Sequence, residues 1–280
     1  MSAQAGLRED QRAAWAAGDF ARFATTIQIV SESLCEAADL HAGQRVLDVA
    51  CGSGNTALCA ARRWCEVTGI DFEPGLLARA RARAEFEGLD VELLEADAHD
   101  LPFPESSFDA VLSTFGVMFA ADQPKAAAEM LRVCRPGGTI GMANFTSASL
   151  AMGFMRVSAR YRPPPRRVGT PTTWAMVDGL RDLFGDAIAS LDVNLRNVIF
   201  RYRSADHWLE FFRSSFGPIR LVHETLDPEQ QEAYGRDLKA LVLEANRSGD
   251  GTIVAPVEYA EVIIRTREDR TSGERGSAGS

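Results

Sequence analysis

Basic charge is in short supply. Thirty lysines and arginines face 39 aspartates and glutamates, a net charge of -9. Phosphate tracts need a basic face, so long nucleic-acid partners are disfavoured, although a local basic pocket is not. Cysteine is sparse and unpatterned. Cys35, Cys51, Cys59, Cys65 and Cys134 form no C-x-x-C pair, and their number is odd. Neither a zinc site nor a disulfide framework follows, and buried reduced thiols are expected. No apolar run reaches the ~18 residues of a membrane span. The stretch MSAQAGLREDQRAAWAAGDF has no apolar core behind a basic start. It is not read as a signal peptide, and a cytoplasmic location is expected. No internal repeat is visible. What remains is an ordinary soluble composition over 280 residues, 46% hydrophobic and 25% charged. That is room for one large domain or two small ones, with a sizeable core and no need of disulfides.

The apolar residues set a rhythm. Phe20, Phe23, Ile27, Val30 and Leu34 recur at steps of three and four, predicting one helix from about Asp19 to Leu40. Val46–Ala50 reads as a buried strand, followed by a helix from Asn55 to about Arg63. CEVTGID is a second strand and PGLLARARARAEFEG a helix that starts at Pro74 and stops at Gly88. DVELLEAD and FDAVLSTF are further strands. A helix capped by Asp122 is stopped by Pro136-Gly137-Gly138, and TIGMANF is a fifth strand. Strand and helix alternate from Val46 to Phe145, which implies βαβ units and a parallel sheet. Beyond Phe145 the rhythm changes. SARYRPPPRRVGTP reads as a loop, TTWAMVDGLRDLFG as a short helix and SLDVNLRNVIFRY as a strand. Ser204–Phe216 and Pro228–Asn246 read as helices, and GTIVAPVEYAEVIIRTR as a last strand. The polar residues 266–280 are expected to be disordered.

The turn after the first strand, Gly52-Ser53-Gly54-Asn55-Thr56-Ala57, fits G-x-G-x-x-G/A. Gly52 allows a tight turn, Gly54 lets a ligand approach the backbone, and Ala57 lets the helix pack on the strand. Asp71 ends the second strand 19 residues after Gly52. It can accept from both ribose hydroxyls of an adenosine, or cap the helix that begins near Pro74. Both features fit NAD and S-adenosylmethionine alike. Asp48, inside the first strand, favours a ligand with an ammonium group, because a carboxylate there would repel a pyrophosphate. Asp97, ending the third strand, can accept from the exocyclic amine of adenine.

Read in order, VLDVACGSGNTAL, VTGIDFEPGLL, LLEADAHDLPF, SFDAVLSTFGVMF and LRVCRPGGTIGMANF resemble the successive motifs of class I S-adenosylmethionine-dependent methyltransferases. The similarity is greatest to the ubiquinone/menaquinone-biosynthesis-type small-molecule branch. It covers Val46 to Phe145 closely and the flanks only in general layout. It implies an α/β, Rossmann-like three-layer sandwich with a seven-stranded, mostly parallel sheet and helical cap insertions. The last strand would be antiparallel and pair with Ser190–Tyr202. One domain would span residues 1–265: N-terminal helices over 1–40, a cofactor-binding core over 44–145, and caps over about 146–189 and 203–251. The resemblance assigns the methionine part of S-adenosyl-L-methionine to Asp48 and the backbone around Ala50, Gly52, Ser53 and Gly54. It assigns the ribose to Asp71, adenine to Phe72, Asp97 and the Ala98 amide, and a place near the sulfonium methyl to Ser113. Ala50 departs from the family's usual glycine.

A sulfonium methyl is already activated, so positioning and desolvation can supply much of the acceleration, and no general base is obligatory. The residues after the fourth strand lack the Asn/Asp-Pro-Pro-Tyr/Phe of base-methylating enzymes, in keeping with a small-molecule methyl acceptor. No carboxylate cluster suggests a metal, so metal-independent transfer is expected, with S-adenosyl-L-homocysteine as the product. His99 is the histidine nearest the proposed site and could serve as a base or simply as a solvated loop residue. His41, His207 and His223 have no stronger claim. Phe115, Met118, Phe119 and Trp174 fit an apolar acceptor pocket and equally fit core packing. Arg156, Arg160, Arg162, Arg166 and Arg167, around Tyr161, fit a basic lip or a solvated loop. Two alternatives share the glycine turn: an NAD(P)-dependent oxidoreductase, though no Tyr-x-x-x-Lys pair is visible, and a catalytically silent cofactor-binding protein. The oligomeric state is not legible.

Overall fold

In the computed structural model, which describes residues 9, 12–163 and 169–268, the alternating segments form one seven-stranded sheet. Its order is β3-β2-β1-β4-β5-β7-β6. The strands are β1 (Arg45–Val49), β2 (Glu66–Asp71), β3 (Val91–Glu95), β4 (Phe108–Thr114), β5 (Cys134–Phe145), β6 (Ile188–Tyr202) and β7 (Ile253–Thr266). The first five run parallel, and β7 inserts antiparallel between β5 and β6. The chain order reverses between β1 and β4, which opens a crevice beyond the carboxyl ends of those strands.

Both faces carry helices. In the first half these are α1 (Phe20–Thr25), α2 (Gln28–Ala37), α3 (Asn55–Ala61), α4 (Pro74–Glu87) and α5 (Gln123–Val133). The later ones are α6 (Leu150–Tyr161), α7 (Val177–Phe184), α8 (Ala205–Ser215), α9 (Gly217–Glu224) and α10 (Pro228–Glu244). The central strand is covered on both faces, so Val46, Leu47 and Val49 are fully buried. Burying each such side chain contributes roughly 1.5–3 kcal/mol.

The single helix expected over Asp19–Leu40 is two. Thr25 and Thr26 turn their hydroxyls back onto the carbonyls of Arg22 and Phe23, at 2.9 and 2.7 Å. Such back-bonding competes with the helix and breaks it there. The apolar face continues across the break, with Phe23, Ile27, Val30 and Leu34 all buried. Two further helices escape the sequence reading. α6 starts at Ser149, whose hydroxyl accepts from Ala151 N, and it includes the Ser158–Tyr161 end of the expected loop. α9 opens on Gly217-Pro218, which reads as a breaker, yet proline suits a first helical turn. The expected disordered tail lies, beyond Glu268, outside the described residues.

Residues 12–16 are helical and lie against the first turn of α9. A Cβ at Gly217 would overlap the carbonyl oxygens of Ala14 and Ala17, so only glycine permits this approach. The backbone bond from Asp19 N to Ser214 O, 3.2 Å, ties the same segment to the end of α8.

Candidate functional site

A cavity of about 670 Å³ opens at the carboxyl ends of β1, β2, β3 and β4. β1 supplies Asp48, the turn after it Ala50, Gly52 and Ser53, and β2 supplies Asp71 with Phe72 behind it. The loop after β3 adds Asp97, Ala98 and His99; Phe115 and Phe119 follow β4. Trp15, Phe20, Ala24 and Ile27 close the opposite side.

Asp48 and Asp71 are buried, and backbone amides hold them. Asp48 Oδ2 accepts from Ala57 N at 2.9 Å, at the start of α3. Its other oxygen, Oδ1, is buried without a hydrogen-bond partner. Burial above all pushes this carboxyl up to about 8, and the negative charge of Asp71 adds to the rise. Asp71 Oδ2 accepts from Gly52 N at 2.8 Å and Oδ1 from Glu73 N at 2.9 Å. Burial raises it to about 6, against the lowering effect of those amides. The helix N-cap role open to Asp71 falls instead to Glu73, whose carboxylate accepts from Gly75 N. A buried carboxylate oxygen without a partner is a place for a cationic group.

Ala50 adopts φ 56°, in the left-handed region that favours glycine. Its methyl group has room because residue 116 is glycine. A Cβ at Gly116 would stand 2.7 Å from Ala50 Cβ and 2.9 Å from Ala50 O. The methyl that the turn gains is thus absent from the facing loop. Phe115, at φ 53°, is a second left-handed residue. It stacks on Phe145 with ring centroids 4.0 Å apart and meets Tyr259 edge-on.

His99 is buried with both ring nitrogens engaged. Nδ1 donates to Asp97 Oδ1 at 2.5 Å, and Nε2 accepts from Asp122 N at 3.1 Å. A ring committed on both sides braces Asp97. The other histidines, 41, 207 and 223, do not line the cavity.

Four of the expected site residues lie outside the cavity wall. Gly54, at φ 87°, faces α4, where a Cβ would stand 3.0 Å from Ala80 Cβ. Ser113 is fully buried, donating to Val49 O at 2.8 Å and accepting from Val117 N at 3.0 Å. Strand alternation turns the next residue, Thr114, into the cavity instead. Met118 and Trp174 are fully buried in the core, and the Trp174 carbonyl accepts from Asn144 Nδ2. Of the arginine group, Arg156 bonds Ser147 O, and Arg160 and Tyr161 bond Asp237. Arg166 and Arg167 lie outside the described residues.

The sequence reading missed the N-terminal wall. The Trp15 ring packs 5.4 Å from Phe20, 5.4 Å from Phe119 and 5.9 Å from Phe216. Arg12 reaches across the mouth to Glu73 Oε2 at 3.3 Å and Glu95 Oε1 at 2.7 Å. A tryptophan in an otherwise polar, alanine-rich segment was the available signal. The Thr114, Thr56 and Ser31 hydroxyls form a chain of 2.8 and 3.0 Å that runs from the cavity wall into the core. Among the described residues, no histidine, cysteine, aspartate and glutamate cluster could hold a metal ion, and all five cysteines are buried and unpaired. No described helix is long and apolar enough to cross a membrane.

A family profile described as "Methyltransferase domain" matches residues 46–138. The uncharacterized protein Rv1405c of Mycobacterium tuberculosis is 35% identical over 279 residues, spanning 96% of this chain and 100% of that one. Demethylmenaquinone methyltransferase of Thermus thermophilus is 48% identical over 106 residues, which is 37% of this chain and 48% of that protein. Among solved structures, the YcgJ protein of Bacillus shares the fold with a TM-score of 0.57 at 19% identity, covering 85% of this chain and 98% of that one.

Proposed function

Because the chain belongs to the S-adenosylmethionine-dependent methyltransferases, we propose that its cavity holds S-adenosyl-L-methionine beside a small-molecule acceptor. The observation that carries this reading is Asp48 Oδ1, buried and unpartnered at the end of β1. An α-ammonium group is the natural complement to that oxygen, whereas a dinucleotide's pyrophosphate would be repelled.

The sulfonium would supply an activated methyl group whose carbon an acceptor atom attacks in line, the carbon–sulfur bond breaking so that S-adenosyl-L-homocysteine leaves. The protein's residues then have distinct tasks. Asp48 pairs with the ammonium, and the Ala50–Ser53 backbone holds the amino-acid end. Asp71, fixed by two amides, accepts from ribose hydroxyls. Phe72 packs on adenine, with Asp97, braced by His99, and the Ala98 amide along its edge. Trp15, Phe20, Phe115 and Phe119 exclude water and hold an apolar or partly aromatic acceptor. Demethylmenaquinone methyltransferase, the Thermus relative, is named for an acceptor of that kind, and the same class is proposed here. A phenol or hydroquinone acceptor keeps its proton near neutral pH, so methyl transfer to it must also pass that proton to water or to a base. We place the enzyme in the cytoplasm, working on a metabolite and not on nucleic acid.

Calorimetric titration with S-adenosyl-L-homocysteine, with NAD and NADP in parallel, tests the cofactor. Binding of the first alone is expected. Binding of NAD or NADP alone would replace the reading with an oxidoreductase. A panel of hydroquinones and phenols with radiolabelled methyl donor then tests the acceptor. Homocysteine-product binding with turnover only on charged, hydrophilic acceptors would overturn the apolar assignment.

A further inference from the structure

The sheet has two edges, and they differ. β3 is short, five residues, with a carboxylate at Glu92 and another at Glu95. β6 runs for 15 residues, and residues 189–197 of it are half-buried or exposed throughout. That stretch holds no proline, and its single irregularity of register lies at its start, between Ile188 and Ser190. Natural edges are usually blunted by bulges, prolines or like charges, since an open row of amides and carbonyls invites another strand. Residues 189–197 instead carry one charge of each sign, Asp192 and Arg196, with Leu195 66% exposed between the two.

We infer that β6 pairs antiparallel with β6 of a second copy of this chain, around a two-fold axis at Asn194. Two copies of one strand related by a two-fold normal to the sheet keep the same faces up, so the axis must pass through a residue. The choice of residue sets every pair. With the axis at 194, Asp192 lies opposite Arg196 of the second copy, and Arg196 opposite Asp192, while Val193 and Leu195 lie opposite each other twice. With the axis at 192 or 196, the like charges Asp192 or Arg196 oppose themselves, which is unfavourable. With the axis at 193 or 195, neither charge meets its complement. Only the register at 194 satisfies both faces of the strand at once.

The intrachain contacts leave these groups free to act. Arg196 donates through Nε and Nη2 to Glu261 Oε1, at 3.0 Å each. Its Nη1 has no partner among the described residues, and neither has Asp192. Glu261 is buried and Oε2 is without a partner, so one arginine alone balances it from the open edge. A second carboxylate across the seam completes a chain from Glu261 through Arg196 to Asp192. The dimer would extend two sheets into one continuous sheet, with each cavity mouth remote from the seam's centre.

Sedimentation velocity across the micromolar range is the first test, and a concentration-dependent dimer is expected. Asn194→Cys then reports the register: under mild oxidation it is expected to give a covalent dimer, because the native cysteines are buried. Asn197→Cys, which lies opposite Leu191 in this register, is expected to stay monomeric on denaturing gels. Leu195→Lys and Asp192→Arg are expected to weaken self-association at least tenfold while leaving homocysteine-product binding intact, since both side chains are exposed. A wild-type protein that stays monomeric, or cross-linking at 197 as efficient as at 194, would overturn the proposal. So would a dimer that Leu195→Lys leaves unchanged.

Discussion

The two walls of the cavity are built in opposite ways. The wall at β1 and β2 is polar and local: Asp48, Gly52, Ser53, Asp71 and Phe72 fall within one βαβ unit, and backbone amides of the same unit fix the carboxylates. The facing wall is aromatic and assembled. Trp15 meets Phe20, Phe119 and Phe216, so the wall draws on three segments about a hundred residues apart. A charged ligand part needs directional partners at set distances, and one short turn can supply them. An apolar acceptor needs volume and dryness, which any neighbouring aromatic can supply. The first wall is therefore constrained by chemistry and the second by packing.

That contrast can be broken from either side. The largest effect is expected from Asp71→Ala, which removes a charged acceptor and strands the Gly52 and Glu73 amides. Charge-assisted bonds contribute roughly 1.5–3 kcal/mol each, so homocysteine-product affinity should fall on the order of a hundredfold by calorimetry. Unchanged affinity would remove Asp71 from the cofactor wall. Next is the shared space at Ala50. Gly116→Ala should destabilise the fold by roughly 1–3 kcal/mol, as overpacking does. Adding Ala50→Gly should recover much of the loss in denaturant melts, and simple additivity of the two would show that the methyls do not compete.

The pH dependence tests the polar wall more finely. Asp48 and Asp71 have folded pKa values raised to about 8 and about 6. A raised carboxyl binds a proton more tightly in the folded state. Its contribution to stability is therefore complete below the unfolded value and is lost as pH rises through the folded value. The ligand-free protein should lose stability between about pH 4 and pH 8 from these groups, and Asp48→Asn should flatten the upper part of that slope. Binding of an ammonium group should release a proton from Asp48 near neutral pH, seen as buffer-dependent heats. Smallest, Trp15→Ala should lower kcat/KM for an apolar acceptor about tenfold, with cofactor affinity little changed, because it trims only the assembled wall. Equal losses in both would mean that the walls are not separate.

The same contrast governs what could be read before the structure. The sheet, its antiparallel last strand and the placement of Asp48 and Asp71 at strand ends were legible because glycine turns and apolar strands follow one another in the chain. Ser113 was misplaced by one residue, since alternation along β4 decides which of Ser113 and Thr114 faces the cavity, and an isolated strand end does not reveal its facing. Met118 and Trp174 were indistinguishable from cavity residues, because an aromatic or methionine side chain serves core and pocket alike. Trp15 and Arg12 were invisible as site residues because their partners, Phe119, Phe216, Glu73 and Glu95, are distant in sequence. The break at Thr25 and Thr26 was hidden behind an uninterrupted apolar stripe.

The strap formed by Arg12 bears on how the protein should be handled. Its ion pairs to Glu73 and Glu95 place Arg12, along with Glu9, at the cavity's threshold. β7 runs the other way, and its end, Arg265 beside Thr139, lies at the amino-terminal side of the parallel strands. A purification handle or fluorophore attached ahead of residue 9 would hang over the entrance and compete with whatever must pass. The same attachment beyond Glu268 would sit at the far end of the sheet, and assays of the two fusions would differ for that reason alone.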